Sequence, residues 1–213
     1  MPKKNPKKEI SIALKKEYYD CIKKLEESFQ EISKGLSLKE IDTLYESNLI
    51  ENEKSEEALE DAIEAWKFAK ENMGKIDVAY VLEIHRLLMK RLRPDIAGKF
   101  RTCDVWIGGQ CKWFVSVALL KEQLTTLLED MLAATDVAMN SKKKLTVKEK
   151  EMLAKVFHIF YENLHPHFDS NGRCGRILYQ VHRLLLGLQI EVIESSTKYE
   201  KYYPWFKTGE TSG

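Results

Sequence analysis

Residues 165–176 read His-Pro-His-Phe-Asp-Ser-Asn-Gly-Arg-Cys-Gly-Arg, and they lie between two segments with helical spacing. The residues before them, 146–164, repeat apolar side chains at helical spacing, and Pro166 favours a helix end just ahead of it. The residues after them repeat apolar side chains at helical spacing again, so a second helix begins within 171–176. The sequence therefore predicts a loop that leads directly into a helix N-terminus.

The side chains of this loop suit an anionic ligand. A helix N-terminus offers unpaired backbone N–H groups, and Gly172 leaves room for a phosphate to approach them. Arg173 and Arg176 lie three residues apart, on one helix face, where both guanidinium groups can hold phosphate oxygens. Asp169 adds a carboxylate that suits Mg²⁺, and His165 can accept a proton near neutral pH. The pattern indicates group transfer from a nucleotide.

The same stretch resembles the Fic family motif, His-Pro-Phe-x-(Asp/Glu)-Gly-Asn-Gly-Arg-x-x-Arg. The matching residues are His165, Pro166, Asp169, Asn171, Gly172, Arg173 and Arg176. Two positions differ, because His167 replaces the family Phe and Ser170 replaces the first Gly. We expect Ser170 to adopt the backbone torsion that the family reserves for Gly, unless the loop shifts. We also expect either His167 or Phe168 to pack beneath the loop.

The resemblance implies a fold and an activity. The fold is all-α, a Fic-type helical bundle with one β-hairpin flap beside the active-site loop. The activity is protein adenylyltransferase: AMP moves from Mg-ATP, the co-substrate, to a Ser, Thr or Tyr hydroxyl of a protein partner. Three alternatives stay open at this point: removal of AMP from a modified protein, transfer of another nucleotidyl group, and a non-catalytic nucleotide-binding regulator. A homo-oligomer is also left open.

The resemblance also assigns the site residues. By this assignment His165 is the general base and Asp169 holds Mg²⁺. His167, two residues from His165, is a rival candidate for the base, but the resemblance places that role on His165. The phosphate groups of ATP would bind to Asn171, Gly172, Arg173 and, at the γ-phosphate, Arg176.

A second resemblance lies upstream of the motif, at residues 47–52, which read Ser-Asn-Leu-Ile-Glu-Asn. The family's inhibitory pattern is (Ser/Thr)-x-x-x-Glu-(Gly/Asn), so Ser47 and Glu51 take its two defining positions. Self-inhibited members carry this pattern on a helix ahead of the core. The resemblance implies that Glu51 pairs with Arg176, so that ATP binds with its α-phosphorus misaligned. The alternative is an ordinary exposed glutamate.

Residues 101–115 predict the chain's one β-hairpin, because β-forming side chains lie on both sides of a two-glycine turn signal. The stretch resembles the family flap, which holds a target peptide by strand pairing beside the motif. A structural hairpin without a ligand role is the alternative. The flap residues are Val105, Trp106, Ile107, Gly108 and Gly109.

Helical periodicity predicts the remaining elements, at residues 9–33, 38–52, 55–72, 78–94 and 116–139. We divide the chain into a basic disordered tail at 1–8, N-terminal helices including the inhibitory helix at 9–75, and a catalytic core at 76–213.

The composition is that of a soluble globular protein, with 44% hydrophobic and 31% charged residues. The net charge of +1 gives no general attraction to nucleic acid or membrane, so we expect neither as a partner. The four cysteines lack CxxC spacing and are interpreted as free thiols. With no membrane-length apolar run and no signal-peptide pattern, we expect a cytoplasmic protein.

Overall fold

The structure is a computed structural model, and it describes residues 31–104 and 115–206. The predicted tail at 1–8 lies outside these ranges, as does most of the helix predicted over 9–33, of which residues 31–33 are helical. The long helices in the described ranges are α1 (Leu38–Ile50), α2 (Glu56–Glu71), α3 (Val78–Met89), α4 (Leu120–Asn140), α5 (Val147–Leu164) and α6 (Asn171–Leu185). Shorter helical turns lie at Val117–Leu119, Ser195–Thr197, Lys198–Tyr202 and Tyr203–Phe206.

Side-chain caps explain where four of these helices begin, because a capping oxygen satisfies an otherwise unpaired backbone N–H group. The caps are Ser37 with Glu40 for α1, Ser55 for α2, Asp77 for α3, and Thr146 with Glu149 for α5. The capping boxes of α1 and α5 confirm the predicted starts of these helices. Both helices end in residues of the candidate site, since Glu51 is the C-cap of α1 and His165 the C-cap of α5.

Helix α6 lies at the centre of the bundle and contacts each of the other five long helices. A helix that is buried on all sides is normally apolar, but α6 buries several polar and charged side chains. These are Arg173, Arg176, Gln180, His182 and Arg183. Charged groups are rarely buried without a partner or a function. The central helix is therefore where we look for the site.

The apolar core holds α6 in place from several sides. Its fully buried members include Ile63 of α2, Val81 and Ile84 of α3, Leu124 of α4 and Cys174 of α6. Burying a large aliphatic side chain of this kind stabilises the fold by about 1.5–3 kcal/mol. The position of the motif loop is thus fixed by packing around the helix that follows it.

The fold is all-α, and the predicted β-hairpin is a wrong prediction. No residue in the described ranges belongs to a strand, and residues 101–104 and 115, which the prediction included, lie in bends and loops. The five predicted flap residues lie outside the described ranges. At Arg101 the backbone N–H donates to Pro166 O at 2.9 Å, so it binds the motif loop instead of a neighbouring strand. β-Propensity indicates only that side chains suit a half-buried surface. It cannot show that the backbone of Arg101 bonds to Pro166 and not to a second strand.

Two helix boundaries also differ from the predicted ones. Helix α3 ends at Met89, not near Pro94, because the chain enters turns in which the N–H groups of Ile96 and Ala97 both donate to Arg93 O. Helix α4 begins at Leu120 after a short 3-10 turn, four residues later than predicted.

None of the helices within residues 31–104 and 115–206 is long and apolar enough to cross a membrane.

Candidate active site

His165 follows the last residue of α5 and has left-handed backbone torsion angles, φ 48° and ψ 61°. This conformation costs an L-residue roughly 1–2 kcal/mol, so neighbouring groups must hold it. The His165 N–H donates to Tyr161 O at 3.0 Å, and its carbonyl accepts from Arg101 Nε at 2.9 Å. The imidazole is therefore presented by a backbone that is fixed on both sides.

The imidazole of His165 has a defined proton position. Its Nδ1 lies 3.3 Å from the carbonyl oxygen of Glu162, which can only accept, so Nδ1 carries the hydrogen. The lone pair is then on Nε2. Burial lowers the pKa of His165 below its ordinary value, which keeps the ring neutral near pH 7. His165 is thus arranged to accept a proton at Nε2.

The residues between His165 and α6 form a tight turn. Ser170 has φ 61° and ψ 18°, so it does adopt the left-handed conformation expected at a position where the motif has Gly. Asp169 is exposed, and its Oδ1 accepts from the N–H of Ser170 at 2.5 Å. Asn171, predicted to bind phosphate, uses its side chain differently: Oδ1 accepts from His167 N and Nδ2 donates to His167 O, both at 2.9 Å. Its amide braces the loop.

His167 packs beneath the loop, as expected of either His167 or Phe168. Its ring is fully buried and stacks on His85, with ring centroids 3.7 Å apart and an interplanar angle of 3°. Its Nδ1 lies 2.8 Å from Lys99 O. Burial lowers the pKa of His167 to about 3 and that of His85 to about 4. Phe168, by contrast, is 46% exposed.

Arg173 is a buried cation with few partners. Only 6% of the residue is exposed, and its Nη2 donates to the sulfur of Met89 at 3.3 Å. Its Nε and Nη1 are buried without a hydrogen-bond partner among the described residues. Burial lowers the pKa of Arg173, against the opposing effect of the nearby Asp169 and Glu51 carboxylates. Unpaired buried donors cost about 1–3 kcal/mol, and more when charged, so Arg173 is suited to an anionic ligand.

Arg176, one turn further along α6, has a full set of acceptors. Its Nε donates to Ser47 Oγ at 2.8 Å, and its Nη2 donates to Ser47 O at 2.9 Å and to Glu51 Oε1 at 2.8 Å. Its Nη1 donates to Tyr202 OH at 3.3 Å. The structure thus brings together the three residues, Ser47, Glu51 and Arg176, that the inhibitory pattern connects.

Charge favours this pairing in spite of burial. Burial opposes the charge of Arg176, but interactions with Tyr202 and Glu51 outweigh it and hold the pKa of Arg176 above its ordinary value. Burial likewise opposes the charge of Glu51, but Arg176 outweighs it and lowers the pKa of Glu51. Both groups are therefore charged near pH 7.

Gly172 allows the Glu51 carboxylate to approach the start of α6. A Cβ at this position would lie 2.3 Å from Glu51 Oε1 and 3.0 Å from Arg176 Nη1, so the Glu51 carboxylate could not stay where it is. The carboxylate thus lies against the first turn of α6, where the macrodipole favours an anion. Glu51 occupies space that Gly172 was predicted to leave for a phosphate.

Several residues of the site were missed by the sequence reasoning. The hydroxyl of Tyr202 accepts from Arg176 and lies 2.8 Å from His158 Nε2. Lys198 Nζ donates to Ile50 O at 2.5 Å, so the C-terminal turns hold the end of α1. Burial raises the pKa of Glu162 to about 8, so this carboxyl is mainly neutral near pH 7 and leaves Glu51 as the anion facing Arg176. The run of aromatic residues at 199–206 was the one signal in the sequence that could have pointed to this segment.

The fold and the loop define a helical-bundle protein with a buried, largely unpaired arginine in the first turn of its central helix. A sequence profile of the Fic/DOC family matches residues 75–182, just over half of the 213-residue chain. The chain belongs to the Fic/DOC family.

Similar curated proteins carry the name protein adenylyltransferase. Protein adenylyltransferase fic-1 of Caenorhabditis elegans is 27% identical over 128 residues, covering 60% of this chain and 23% of the relative. Protein adenylyltransferase Fic of Drosophila melanogaster is 26% identical over 136 residues, covering 62% of this chain and 25% of the relative. The match spans about a quarter of the length of these relatives.

Two solved structures have a similar fold. A Fic-domain-containing signaling protein from Bacteroides thetaiotaomicron aligns with a TM-score of 0.63 at 18% identity, covering 84% of this chain and 78% of that one. A fragment of Fic-1 from C. elegans aligns with a TM-score of 0.56 at 17% identity, covering 93% of this chain and 64% of that one. At these identities the similarity concerns the fold alone.

Proposed function

We propose that this protein is an adenylyltransferase that moves AMP from Mg-ATP to a hydroxyl side chain of a target protein. The observation that carries the proposal is the buried, largely unpaired Arg173 guanidinium at the start of α6, the helix that follows the loop from His165, whose Nε2 can accept a proton. One group suits a phosphate and the other a hydroxyl nucleophile. The curated relatives named protein adenylyltransferase support AMP transfer at the level of the family.

In this proposal the phosphates of ATP bind at the first turn of α6. The free N–H groups of that turn and the Arg173 guanidinium supply hydrogen bonds and positive charge. Arg176 would hold the γ-phosphate once Glu51 is displaced. Asn171 contributes by bracing the loop through His167, a role that its two 2.9 Å hydrogen bonds support.

The residues present fit a Mg²⁺ ion that is held mainly by ATP. Asp169 is an exposed carboxylate beside the cationic helix start, and its charge reaches both His165 and Arg173. Within residues 31–104 and 115–206 no group of three or more His, Cys, Asp or Glu side chains could hold a metal. Mg²⁺ commonly takes one or two protein carboxylates and completes its shell with phosphate oxygens and water. When bound, it would supply charge neutralisation for the phosphates.

The chemical step uses His165 as the base. The target hydroxyl loses its proton to His165 Nε2, its oxygen forms a bond to the α-phosphorus, and the bond between the α-phosphorus and the bridging oxygen breaks to release pyrophosphate. Arg173 and the α6 N–H groups stabilise the charge that develops on the phosphates. In reactions of this kind, catalysis comes almost entirely from such charge stabilisation together with alignment of the two reactants.

We also propose that Glu51 inhibits this reaction. Its carboxylate binds Arg176 Nη2 at 2.8 Å and lies against Gly172, so it takes both the cation and the space that a γ-phosphate would use. ATP then binds with its α-phosphorus out of line with the nucleophile. In the same proposal α1, within residues 9–75, is the inhibitory element, and residues 76–213 are the catalytic core.

The test is incorporation of label into protein from ATP labelled at either the α- or the γ-phosphate. We expect Glu51→Gly, incubated with cell lysate, to incorporate α-label roughly ten- to a hundredfold more than wild type, because a charge pair biases the bound pose by about 1.4–2.8 kcal/mol. His165→Ala in the Glu51→Gly background should incorporate none, while still binding ATP. Glu71→Gly is the matched control, because it removes an exposed acid from the end of another helix, α2.

Three results would contradict these proposals. Incorporation of γ-label without α-label would mean phosphate transfer and not AMP transfer. Equal activity of Glu51→Gly and Glu71→Gly would exclude the inhibitory role of Glu51. Retained incorporation in the His165→Ala variant would exclude His165 as the base. Release of AMP from a protein that already carries it, measured for the same variants, would distinguish the reverse activity from AMP transfer.

A further inference from the structure

His85, in α3, connects the bundle to the active-site loop. Its ring is fully buried, and its Nδ1 accepts from the backbone N–H of Gly98 at 3.0 Å. Because a backbone N–H can only donate, the hydrogen of the neutral ring is on Nε2. The Nε2 atom lies 3.2 Å from the carbonyl oxygen of Asp169 and so donates to it. A single tautomer therefore joins α3, the Gly98 turn and the loop.

The Gly98 turn is shaped to make this contact. Gly98 has φ 69°, a conformation that L-residues rarely adopt, and a Cβ on it would lie 3.0 Å from Arg86 Cβ and 3.3 Å from Leu82 O. The backbone carbonyl oxygen of the next residue, Lys99, accepts from His167 Nδ1 at 2.8 Å. The two stacked histidines are thus held from one side by consecutive backbone groups of the same turn.

Asp169 needs external support on its carbonyl side. Its carboxylate is exposed and accepts from the N–H of Ser170, which is itself in the left-handed conformation. The peptide group between Asp169 and Ser170 therefore links a residue with an exposed side chain to a residue with a strained backbone. The carbonyl of that peptide accepts from His85 Nε2, a group on a rigid helix outside the loop.

We propose that His85 is a positioning residue for Asp169. By holding the carbonyl of Asp169, the His85 imidazole sets the plane of the 169–170 peptide and thereby the direction in which the carboxylate faces the phosphate site. The part of this inference that concerns Mg²⁺ rests on the proposed function. Outer groups that orient a metal ligand typically change metal affinity by roughly ten- to a hundredfold, so the effect is measurable.

Two substitutions at His85 separate its two hydrogen bonds. Asn places an acceptor near the position of Nδ1 and keeps the Gly98 contact, but it is too short to reach Asp169. Gln places an amide N–H near the position of Nε2 and can keep the Asp169 contact. The matched control is His182→Asn, since His182 is also a buried helical histidine but bonds Thr135 Oγ1 at 3.0 Å, away from the loop.

The first measurement is ATP binding by calorimetry, in EDTA and with Mg²⁺, using the full chain with Glu51→Gly as parent. We expect His85→Asn to bind ATP in EDTA like the parent and to lose roughly tenfold of the affinity gained with Mg²⁺. His85→Gln should recover most of that gain, and His182→Asn should keep it. Equal losses in EDTA and in Mg²⁺ would overturn the proposal, since a merely structural role would weaken both.

The second measurement needs no nucleotide. Amide hydrogen exchange of His167 and Ser170 should be faster in His85→Asn than in the parent, His85→Gln or His182→Asn, while exchange in α2 stays the same. Unchanged exchange at these two amides would overturn the positioning role whatever the binding results. If the parent binds no ATP, the proposed function fails, and the exchange result still decides the role of His85.

Discussion

Arg173 and Arg176 lie on successive turns of one face of α6, and both are almost fully buried, but their surroundings are opposite. Arg176 donates hydrogen bonds to Ser47, Glu51 and Tyr202. Arg173 donates to the sulfur of Met89 and leaves Nε and Nη1 unpaired within the described part of the chain. One arginine is satisfied by the protein, and the other is suited to a ligand.

The difference arises from what packs on each turn. Helix α1 ends above Arg176 and delivers Ser47 and Glu51 to it, and the C-terminal turns add Tyr202. The Arg173 guanidinium donates to Met89, and the carboxylates of Asp169, Glu51 and Glu53 act on it through charge. Two identical side chains in one helix therefore have different surroundings, and the proposed function gives them different roles: Arg176 would serve both fold and regulation, and Arg173 binding alone.

The largest expected effect concerns the stability of Arg176→Met. This change removes a buried cation from four acceptors, and breaking a buried pair costs about 3–5 kcal/mol. Because the Glu51 side chain is 38% exposed and can be hydrated, we expect about 3 kcal/mol, the lower end of this range. Urea denaturation would measure this loss in the free energy of unfolding.

The control is Arg86→Met, on the exposed face of α3, which should change the free energy of unfolding by about 0.5 kcal/mol or less. Equal stabilities of the two variants would show that Arg176 is not a structural group.

Arg173→Met should behave in the reverse way. The change removes unpaired buried donors, so we expect the free energy of unfolding to stay the same or to rise by about 1 kcal/mol. Binding of Mg-ATP, measured by calorimetry in the Glu51→Gly background, should weaken by about 2 kcal/mol, or roughly 30-fold. A gain in stability together with a loss of binding is typical of functional residues.

The control for Arg173→Met is Arg183→Met, further along the same helix. Arg183 Nη1 donates to Tyr179 OH at 3.2 Å and to Glu191 Oε2 at 2.9 Å, so its loss should lower stability without changing ATP affinity. If Arg173→Met binds Mg-ATP like its parent, the phosphate site lies elsewhere. If it is instead destabilised as much as Arg176→Met, the contrast between the two arginines is wrong.

Local signals in the sequence were enough for the helices and for the motif. Helical spacing placed the starts of α1 and α5 correctly, and Ser37 and Thr146 are local signals for the same starts because a cap acts within three residues of itself. The loop and the start of α6 followed from Pro166 and the helical spacing beyond it. The pairing of Glu51 with Arg176 came from a family pattern and not from any local rule.

Contacts between distant segments could not be predicted in the same way. Arg101 and His85 each bind the backbone of the motif loop, over 64 and 84 residues respectively, and nothing in their own neighbourhoods specifies that partner. The β-hairpin was wrong for a related reason, since propensity near Arg101 was read without knowledge of its tertiary partner. The family pattern assigned Asn171 to phosphate, but it does not show that its amide would be used to brace His167.

The smallest expected effect concerns Ser170, at the turn that precedes Arg173. Ser170→Gly should raise the free energy of unfolding by about 1 kcal/mol, because Gly adopts φ 61° without the Cβ penalty and the buried, unpaired Ser170 Oγ is removed. The gain is reduced, but not cancelled, by the greater freedom of Gly in the unfolded chain. Ser170→Ala is the control, since it removes the hydroxyl but keeps the Cβ. Its unfolding temperature should therefore lie below that of Ser170→Gly.

Mg-ATP affinity should be unchanged in Ser170→Gly if the backbone at residue 170 already has the geometry that places Arg173 for binding. If Ser170→Gly is no more stable than Ser170→Ala, the turn carries no torsional strain. If Ser170→Gly binds Mg-ATP more tightly than its parent, the serine holds the Arg173 side of the site out of position.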